Sequence, residues 1–195
     1  CQIAGERCQS TTSNAVVAGD DVDQILMGNV LMAGQGQAPG RQAAIKAGLP
    51  KSVEATTLNK MCGSGMQAAI MGRAAIASGD AEIIIAGGME SMTNAPHMLP
   101  THRAGFKYGH DTIKDHMAQD GLEDAYEKKP MGVYADMIAE EHQFTREQQD
   151  AYALETLARA QRATKEGDFK REITPVTIQT RKGDVTVDTD ELPRK

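Results

Sequence analysis

Cysteine is scarce in this sequence, and the pattern of the three that occur excludes two common uses. Cys1, Cys8 and Cys62 are odd in number and show no C-x-x-C spacing, so neither a disulfide framework nor a structural zinc site is indicated. No apolar run approaches the roughly 20 residues that span a bilayer. The start of the chain lacks the basic and apolar segments of a secretory signal. We therefore expect a protein of the reducing cytoplasm that binds no metal and enters no membrane.

An excess of positive charge is also missing. Lys and Arg number 21 against 27 Asp and Glu, which gives a net charge of −6 and a pI near 5.4. This balance argues against nucleic acid or an anionic membrane as a general partner. Hydrophobic residues make up 40% of the 195-residue chain, as in an ordinary globular protein. The length suffices for one large domain or for a core with an inserted subdomain.

Strand and helix patterns alternate in the first part of the chain. Residues 22–31 predict a strand, and Pro39 then opens a short helix. Residues 52–58 are rich in β-branched side chains and predict a second strand. Residues 64–77 form a helical pattern with an apolar stripe, and the apolar run EIIIAGG that follows is typical of a buried parallel strand. This order predicts an α/β fold.

The composition of the sequence changes near residue 92. This change divides the chain into a predicted core, 1–92, and a second region, 93–195. Thr145 and Gln148 form a capping-box pattern that opens a helix, and Gly167 ends it. Two strands around a turn at residues 182–184 follow. Residues 111–130 are polar and give no clear pattern. The second region therefore predicts an inserted α+β subdomain.

The short stretch around Cys62 carries the chemistry, in the sequence LNKMCGSGMQAA. Cys62 falls between a strand and a helix N-terminus, where free N–H groups and the helix dipole stabilise a thiolate. Gly63 and Gly65 allow a tight turn and the close approach of a substrate carbonyl. The N–H of Cys62 itself can donate to the oxyanion of a tetrahedral intermediate. Such an arrangement suits acyl transfer.

Two other interpretations of this stretch stay open at the level of residues. The thiol can be a buried, inert cysteine, as lone cysteines often are. Alternatively, Gly63, Gly65 and Ala68 fit the G-x-G-x-x-A pattern of a dinucleotide-binding turn. The strand that follows the helix ends in AGG, where that motif needs an acidic residue for the ribose, and the four residues NKMC separate the strand at 52–58 from the glycines. These departures weaken the dinucleotide interpretation.

Longer stretches of the chain resemble the thiolase family, which comprises acetyl-CoA acetyltransferases and 3-ketoacyl-CoA thiolases. The matching segments, in order, are GNVLMAGQGQAPGRQAAIKAGLP, NKMCGSGMQAAIMG, IIIAGGMESMTNAPHMLP, DGLEDAY, REQQDAYALETLARA and RKGDVTVDTDE. The resemblance implies a layered α/β core, with a mixed β-sheet covered by helices, and an inserted α+β loop subdomain that contacts coenzyme A (CoA). The chain looks incomplete against this fold, and residues 1–15 match poorly.

The resemblance also implies roles for four residues. Cys62 matches the nucleophile that carries the acyl group between acyl-CoA or 3-ketoacyl-CoA and CoA or acetyl-CoA. Leu122 and Met131 match residues near the pantetheine, and Arg194 matches an arginine that packs on the CoA adenine. Pro130 stands where many short-chain members have a CoA-facing histidine. CoA thioesters are then substrates, and no cofactor is expected.

Other catalytic motifs of the family are absent from these 195 residues. The second half of a thiolase carries a Gly-His-Pro histidine, a Cys-x-Gly cysteine and an Asn-Glu-Ala-Phe motif, none of which occurs here. The chain's own five histidines fit none of these motifs, and we expect most of them to be surface or loop residues. The resemblance therefore predicts a partial thiolase that is inactive alone. Its expected partners are a C-terminal thiolase half and further copies in a dimer or tetramer, and residues 102–110 match a loop involved in assembly. A noncatalytic acyl-CoA-binding or assembly module is the alternative.

Overall fold

The computed structural model describes residues 17–193, and these form two compact units, 17–133 and 134–193. The first unit is built on five elements, which are β1 (Gln24–Gly28), α1 (Pro39–Lys46), β2 (Glu54–Leu58), α2 (Ser64–Ser78) and β3 (Ile84–Gly88). The predicted alternation of strands and helices and the α/β class are confirmed. The sequence patterns locate all five elements, although the first predicted strand is longer than β1.

The three strands form a parallel sheet in the order β2-β1-β3, in which Gly28 pairs with Leu58 on one side and with Gly88 on the other. β1 is central, and residues 25–28 are buried on both faces. Met27 faces α1, because a Cβ placed on Gly40 would lie 3.3 Å from the Cβ of Met27. Leu26 faces α2, because a Cβ placed on Gly72 would lie 3.8 Å from Leu26 Cδ1. One helix therefore covers each face of the central strand.

The core lies mainly between the sheet and α1. Its buried members are Val22, Ile25, Met27, Ala44, Leu49 and Val53. On the opposite face, α2 turns its small residues Ser64, Ala68 and Gly72 toward the sheet. The apolar stripe predicted for this helix includes Met66 and Ile70. It does not face the sheet, since these side chains are 74% and 53% exposed. Close packing against the strands selects small side chains, and the larger ones remain on the outer face.

The rest of the first unit includes the short elements β4 (His97–Met98), β5 (Lys114–Asp115) and a π-helical turn (Ala118–Leu122). β4 and β5 pair antiparallel. The structure thus supplies an organisation for residues 111–130, where the sequence gives no clear pattern. The boundary between the compact units falls inside α3 (Met131–Glu141). The domain division predicted at residues 92 and 93 stays a prediction.

The second unit contains α4 (Arg146–Glu166) and a hairpin of β6 (Val176–Thr180) and β7 (Gly183–Val187). The predicted capping box is present, because the Gln148 N–H donates to Thr145 Oγ1 and the Thr145 N–H donates to Gln148 Oε1. Gly167 ends the helix with a φ of 81°. The hairpin turn lies at residues 181–182, whereas the sequence predicts it at residues 182–184. No helix in the described residues is long and apolar enough to cross a membrane.

Asp23 ties together the amino ends of all three parallel strands. Its Oδ2 accepts hydrogen bonds from the N–H groups of Glu82 at 2.7 Å and Ile83 at 3.0 Å. Its carbonyl accepts from the Glu54 N–H at the start of β2. The Ile83 and Glu82 N–H groups lower the pKa of the Asp23 carboxyl. The negative charge therefore favours the folded state.

We expect Asp23→Asn to lower stability in a pH-dependent way. Because the folded pKa is lowered, the stabilisation is present above the pKa of the unfolded chain and is lost as pH falls through the folded value. Urea unfolding should show the two proteins differing at pH 7 and converging at acid pH. Asp21→Asn is the control, since this nearby side chain is exposed. A difference that is constant with pH would contradict the assignment.

Candidate active site

A cleft of about 410 Å³ lies at the carboxyl ends of the three parallel strands. In α/β folds the loops that leave this edge are the usual place for ligands. The cleft is lined by residues that follow β1, β2 and β3 and by the π-helical turn. The lining residues are Gly28, Asn29, Val30, Leu31, Met61, Cys62, Ser64, Gly65, Gly88, Met89, Glu90, Met92, Met117, Gly121 and Leu122.

Cys62 is exposed in this cleft, at the tip of the turn that joins β2 to α2. Met61 adopts a left-handed conformation with a φ of 50°. Asn59 Oδ1 accepts a hydrogen bond from the Met61 N–H at 2.9 Å. Ser64 Oγ donates to the Met61 carbonyl at 2.6 Å and accepts from the Lys60 N–H at 2.8 Å. These bonds hold a sharp strand-turn-helix elbow that presents the thiol to the cleft.

The elbow is built differently from the sequence-based expectation, which assigned the tight turn to Gly63 and Gly65. Gly63 has an ordinary φ of −86°, and the positive φ belongs to Met61. A Cβ added at Gly65 would meet no atom within 4 Å. The space beside Gly65 is therefore open, and the close approach of a substrate carbonyl stays a prediction. The alternative of a buried cysteine is wrong, because Cys62 is exposed.

The first turn of α2 points unsatisfied donors toward this region. The Ser64 N–H bonds the Met61 carbonyl, and the Gln67 N–H bonds the Gly63 carbonyl. Among the described residues, the N–H groups of Gly65 and Met66 have no acceptor. Unpaired N–H groups at a helix N-terminus carry a partial positive charge that favours an anion. The site therefore suits a thiolate or a developing oxyanion.

Gly28 allows the amino end of α2 to approach the sheet closely. A Cβ at this position would lie 2.7 Å from Ser64 Cβ, 2.8 Å from Ser64 C and 2.9 Å from Gly65 N. Two of these atoms belong to the backbone, so the clash could not be relieved by turning a side chain. The absence of a side chain at Gly28 therefore sets the position of the helix that follows Cys62.

Glu90 joins the loop that follows β3 to the loop that follows β1. Its Oε2 accepts from the Val30 N–H at 2.9 Å, and its Oε1 accepts from the Leu31 N–H at 2.9 Å. Oε1 also accepts from Asn29 Nδ2 at 3.0 Å. A carboxylate with three donors forms strong, charge-assisted hydrogen bonds. The contact fixes one side of the cleft relative to its floor.

Asn29 lies beneath Glu90 and is only 1% exposed. Its Nδ2 donates to the Met89 carbonyl and to Glu90, which determines the orientation of the amide. Its Oδ1 is buried and has no donor among residues 17–193. A buried acceptor without a partner costs about 1–3 kcal/mol. A hydrogen-bond donor that enters here would recover this energy.

The wall formed by the π-helical turn is held by His116, which is buried with 6% exposure. His116 Nδ1 lies 2.7 Å from Asp120 Oδ2, and Nε2 accepts a hydrogen bond from the Ala33 N–H at 3.3 Å. The other histidines, at 97, 102, 110 and 142, are exposed, as expected for most of them. His116 is the exception. Its Nε2 is occupied by Ala33, so it is not free to act as a base toward Cys62.

The residues predicted for the site are distributed unequally in the structure. Cys62 and Leu122 line the same cleft. Met131 begins α3, is 46% exposed and lies outside the lining of the cleft. Arg194 lies outside the described residues.

Asn29 and Glu90 were not predicted, although each follows an apolar strand at its carboxyl end, which is a usable signal. Within residues 17–193, no three His, Cys, Asp or Glu side chains converge as metal ligands would.

Fold and cleft define an α/β protein with a cysteine presented at a strand-turn-helix elbow. A family model described as "Thiolase, N-terminal domain" matches residues 2–195. The chain is 50% identical over 174 residues to the acetyl-CoA acetyltransferase of Pseudomonas aeruginosa, with 89% of this chain and 44% of that protein covered. It is 47% identical over 180 residues to that of Saccharomyces cerevisiae, with coverage of 91% and 45%. The chain belongs to the thiolase family.

A solved structure agrees with this assignment. The Acat5 thiolase from Ascaris suum, in complex with coenzyme A, matches with a TM-score of 0.84 and 40% identity, covering 92% of this chain and 45% of that one. The thiolase-like fold predicted from the sequence is thereby confirmed. The chain spans about half the length of the curated relatives it matches.

We expect Gly28→Ala to displace the elbow. The added methyl group must push back the Ser64 backbone, at a cost of about 1–3 kcal/mol for an overpacked site. Urea unfolding measures this loss, and the rate of Cys62 alkylation by iodoacetamide measures the displacement. Gly132→Ala is the matched control, because a Cβ there meets nothing within 4 Å. Unchanged stability and alkylation in Gly28→Ala would contradict the close approach of α2 to β1.

Proposed function

We propose that this chain carries the nucleophile of a thiolase-type acyl transfer, and that Cys62 is that nucleophile. The observation that carries the proposal is the exposed thiol at the elbow, facing a cleft at the carboxyl ends of the parallel strands. Relatives named acetyl-CoA acetyltransferase support the reaction class. The Ascaris suum thiolase, solved with coenzyme A, supports CoA thioesters as ligands.

In the first half-reaction, the Cys62 thiolate attacks the carbonyl carbon of an acyl-CoA or 3-ketoacyl-CoA. Addition forms the new carbon–sulfur bond and a tetrahedral oxyanion. Collapse breaks the bond to the leaving group, which departs as CoA thiolate or as the acetyl-CoA carbanion and takes up a proton. The product is an S-acyl cysteine. The free N–H groups of Gly65 and Met66 favour the thiolate before attack.

In the second half-reaction, the acyl group leaves Cys62 for one of two acceptors. The thiolate of CoA attacks it in thiolytic cleavage, and the carbanion of acetyl-CoA attacks it in Claisen condensation. Forming the carbanion requires a base to remove a proton from the acetyl methyl group. The resemblance implies that this base is a cysteine in the second half of a thiolase. His116 does not supply this base, since its Nε2 already accepts a hydrogen bond from the Ala33 N–H.

Binding of CoA is proposed for three residues of the predicted second region, 93–195. Leu122 is suited to a pantetheine contact because it lines the cleft that contains Cys62. Met131 and Arg194 keep the roles implied by the resemblance, next to the pantetheine and the adenine. A C-terminal thiolase half is the proposed partner, and the outer face of α2, with exposed Met66 and Ile70, is apolar surface available to it. We also propose a dimer or tetramer of the complete protein, located in the cytoplasm.

Labelling with acetyl-CoA tests the nucleophile. Brief incubation followed by peptide mass spectrometry should show a mass increase of one acetyl group on the peptide that contains Cys62. Cys62→Ser should carry no label. In the enzyme formed with a C-terminal thiolase half, it should lower turnover by roughly three orders of magnitude or more, because the covalent path is lost. Cys8→Ser is the control and should behave as the unmodified chain. An acetyl group on Cys8 instead would refute the assignment.

Turnover by the 195-residue chain alone tests whether catalysis needs the histidine and the second cysteine of a C-terminal thiolase half. General-base assistance contributes about 100- to 10,000-fold, so the absence of both the histidine and the second cysteine should leave acetoacetyl-CoA consumption near background. Adding a C-terminal thiolase half that carries both motifs should restore part of the activity. A noncatalytic acyl-CoA-binding module would bind acetyl-CoA and gain no turnover on this addition. Robust turnover without the second half would show that the base lies within these residues.

A further inference from the structure

His116 connects two separate segments of the first unit through its two ring nitrogens. The Ala33 N–H donates to Nε2 at 3.3 Å, and Nδ1 lies 2.7 Å from Asp120 Oδ2. A backbone N–H can only donate, so Nε2 carries no proton in this arrangement. Nδ1 therefore carries the proton and donates it to the Asp120 carboxylate. The pair selects one tautomer of a neutral ring.

The segment that follows His116 forms a wall of the cleft that contains Cys62. The His116 N–H bonds the Pro96 carbonyl at 3.1 Å, and Asp115 Oδ1 accepts from the Met117 N–H at 2.8 Å. The Glu123 N–H closes the π-helical turn onto the Ala118 carbonyl at 2.9 Å. These bonds are local to the segment and its neighbour β4. They fix its shape but do not join it to the loop after β1.

The contacts with that loop include the hydrogen bond to His116 and an apolar contact with Leu31. A Cβ at Gly121 would lie 3.1 Å from Leu31 Cδ2, so the turn lies directly against Leu31. The hydrogen bond from the Ala33 N–H to His116 Nε2 accompanies this apolar contact and, unlike it, depends on orientation. Leu122 follows Gly121, and both line the cleft. The wall that contains Leu122 is therefore joined to the loop after β1 at Leu31 and at Ala33.

We propose that His116 and Asp120 are positioning residues that set the width of the cleft and thereby the affinity for the CoA thioester. The inference rests on the proposed function, because the ligand comes from it. Loss of the Asp120 carboxylate allows the ring to take the tautomer with its proton on Nε2. That proton then faces the Ala33 N–H, two donors oppose each other, and the wall separates from Leu31. Neither residue touches the reacting atoms.

Protection of Cys62 from alkylation measures this affinity in the 195-residue chain. Iodoacetamide labels the exposed thiol, and desulfo-CoA, which has no thiol of its own, is titrated as the competitor. Asp120→Ala should raise the apparent Kd of desulfo-CoA about tenfold, the effect of losing one hydrogen bond to a charged group. The alkylation rate without ligand should stay within about twofold of the unmodified chain, because the elbow around Cys62 is not altered.

Two further variants separate positioning from general loosening of the fold. Asp120→Asn keeps an oxygen that accepts from Nδ1–H, so it should restore the Kd to within about threefold of the original value. His142→Gln, at an exposed histidine, should change nothing. Equal Kd values in all variants would overturn the inference alone. A ligand-free alkylation rate that rises in step with Kd would overturn it in favour of a structural role.

The same assay distinguishes failure of the proposed function. If desulfo-CoA gives no protection to the unmodified chain even in the millimolar range, the cleft is not a CoA site. The proposed function and this inference then fall together. Protection of the unmodified chain with no effect of Asp120→Ala leaves the proposed function intact and rejects only the role of the pair.

Discussion

The contact between Gly28 and the first turn of α2 is the constraint from which the geometry of the cleft follows. At this point the carboxyl end of the central strand and a helix N-terminus approach so closely that a single Cβ would lie 2.7 Å from Ser64 Cβ. The helix can begin there only if the preceding turn is very short, and the left-handed Met61 provides that turn. Cys62 is left at the tip, outside the packed layer and next to the unpaired N–H groups of the helix.

The other sides of the cleft are added to this elbow by polar contacts between distant segments. Glu90 binds three donors of the loop after β1, and His116 accepts a bond from Ala33 in the same loop. The loop after β1 is thus the common partner of two walls. A parallel sheet favours this arrangement, because all its strands release their loops at one edge. The apolar core determines the fold, and hydrogen bonds between loops determine the shape of the site.

Local features of the structure were the ones that the sequence predicted well. The capping box of Thr145 and Gln148 and the stop at Gly167 depend only on neighbouring residues, and the α/β alternation depends on short-range periodicity. The position of Cys62 between a strand and a helix could be predicted because strand, turn and helix are contiguous. The contacts of Glu90 with Asn29 and of His116 with Ala33 join residues 61 and 83 positions apart. Pattern analysis of a single sequence has no access to such pairs.

The central position of β1 has a consequence for the order in which the molecule opens. Its amides bond to β2 and β3, and its side chains are covered by α1 on one face and α2 on the other. Within the described residues, β2 and β3 each have one strand partner only. Hydrogen exchange at the β1 amides therefore requires opening of the whole unit, whereas the π-helical turn can open locally. We therefore expect the floor of the cleft to be its slowest-exchanging part and the wall beside Leu122 its fastest.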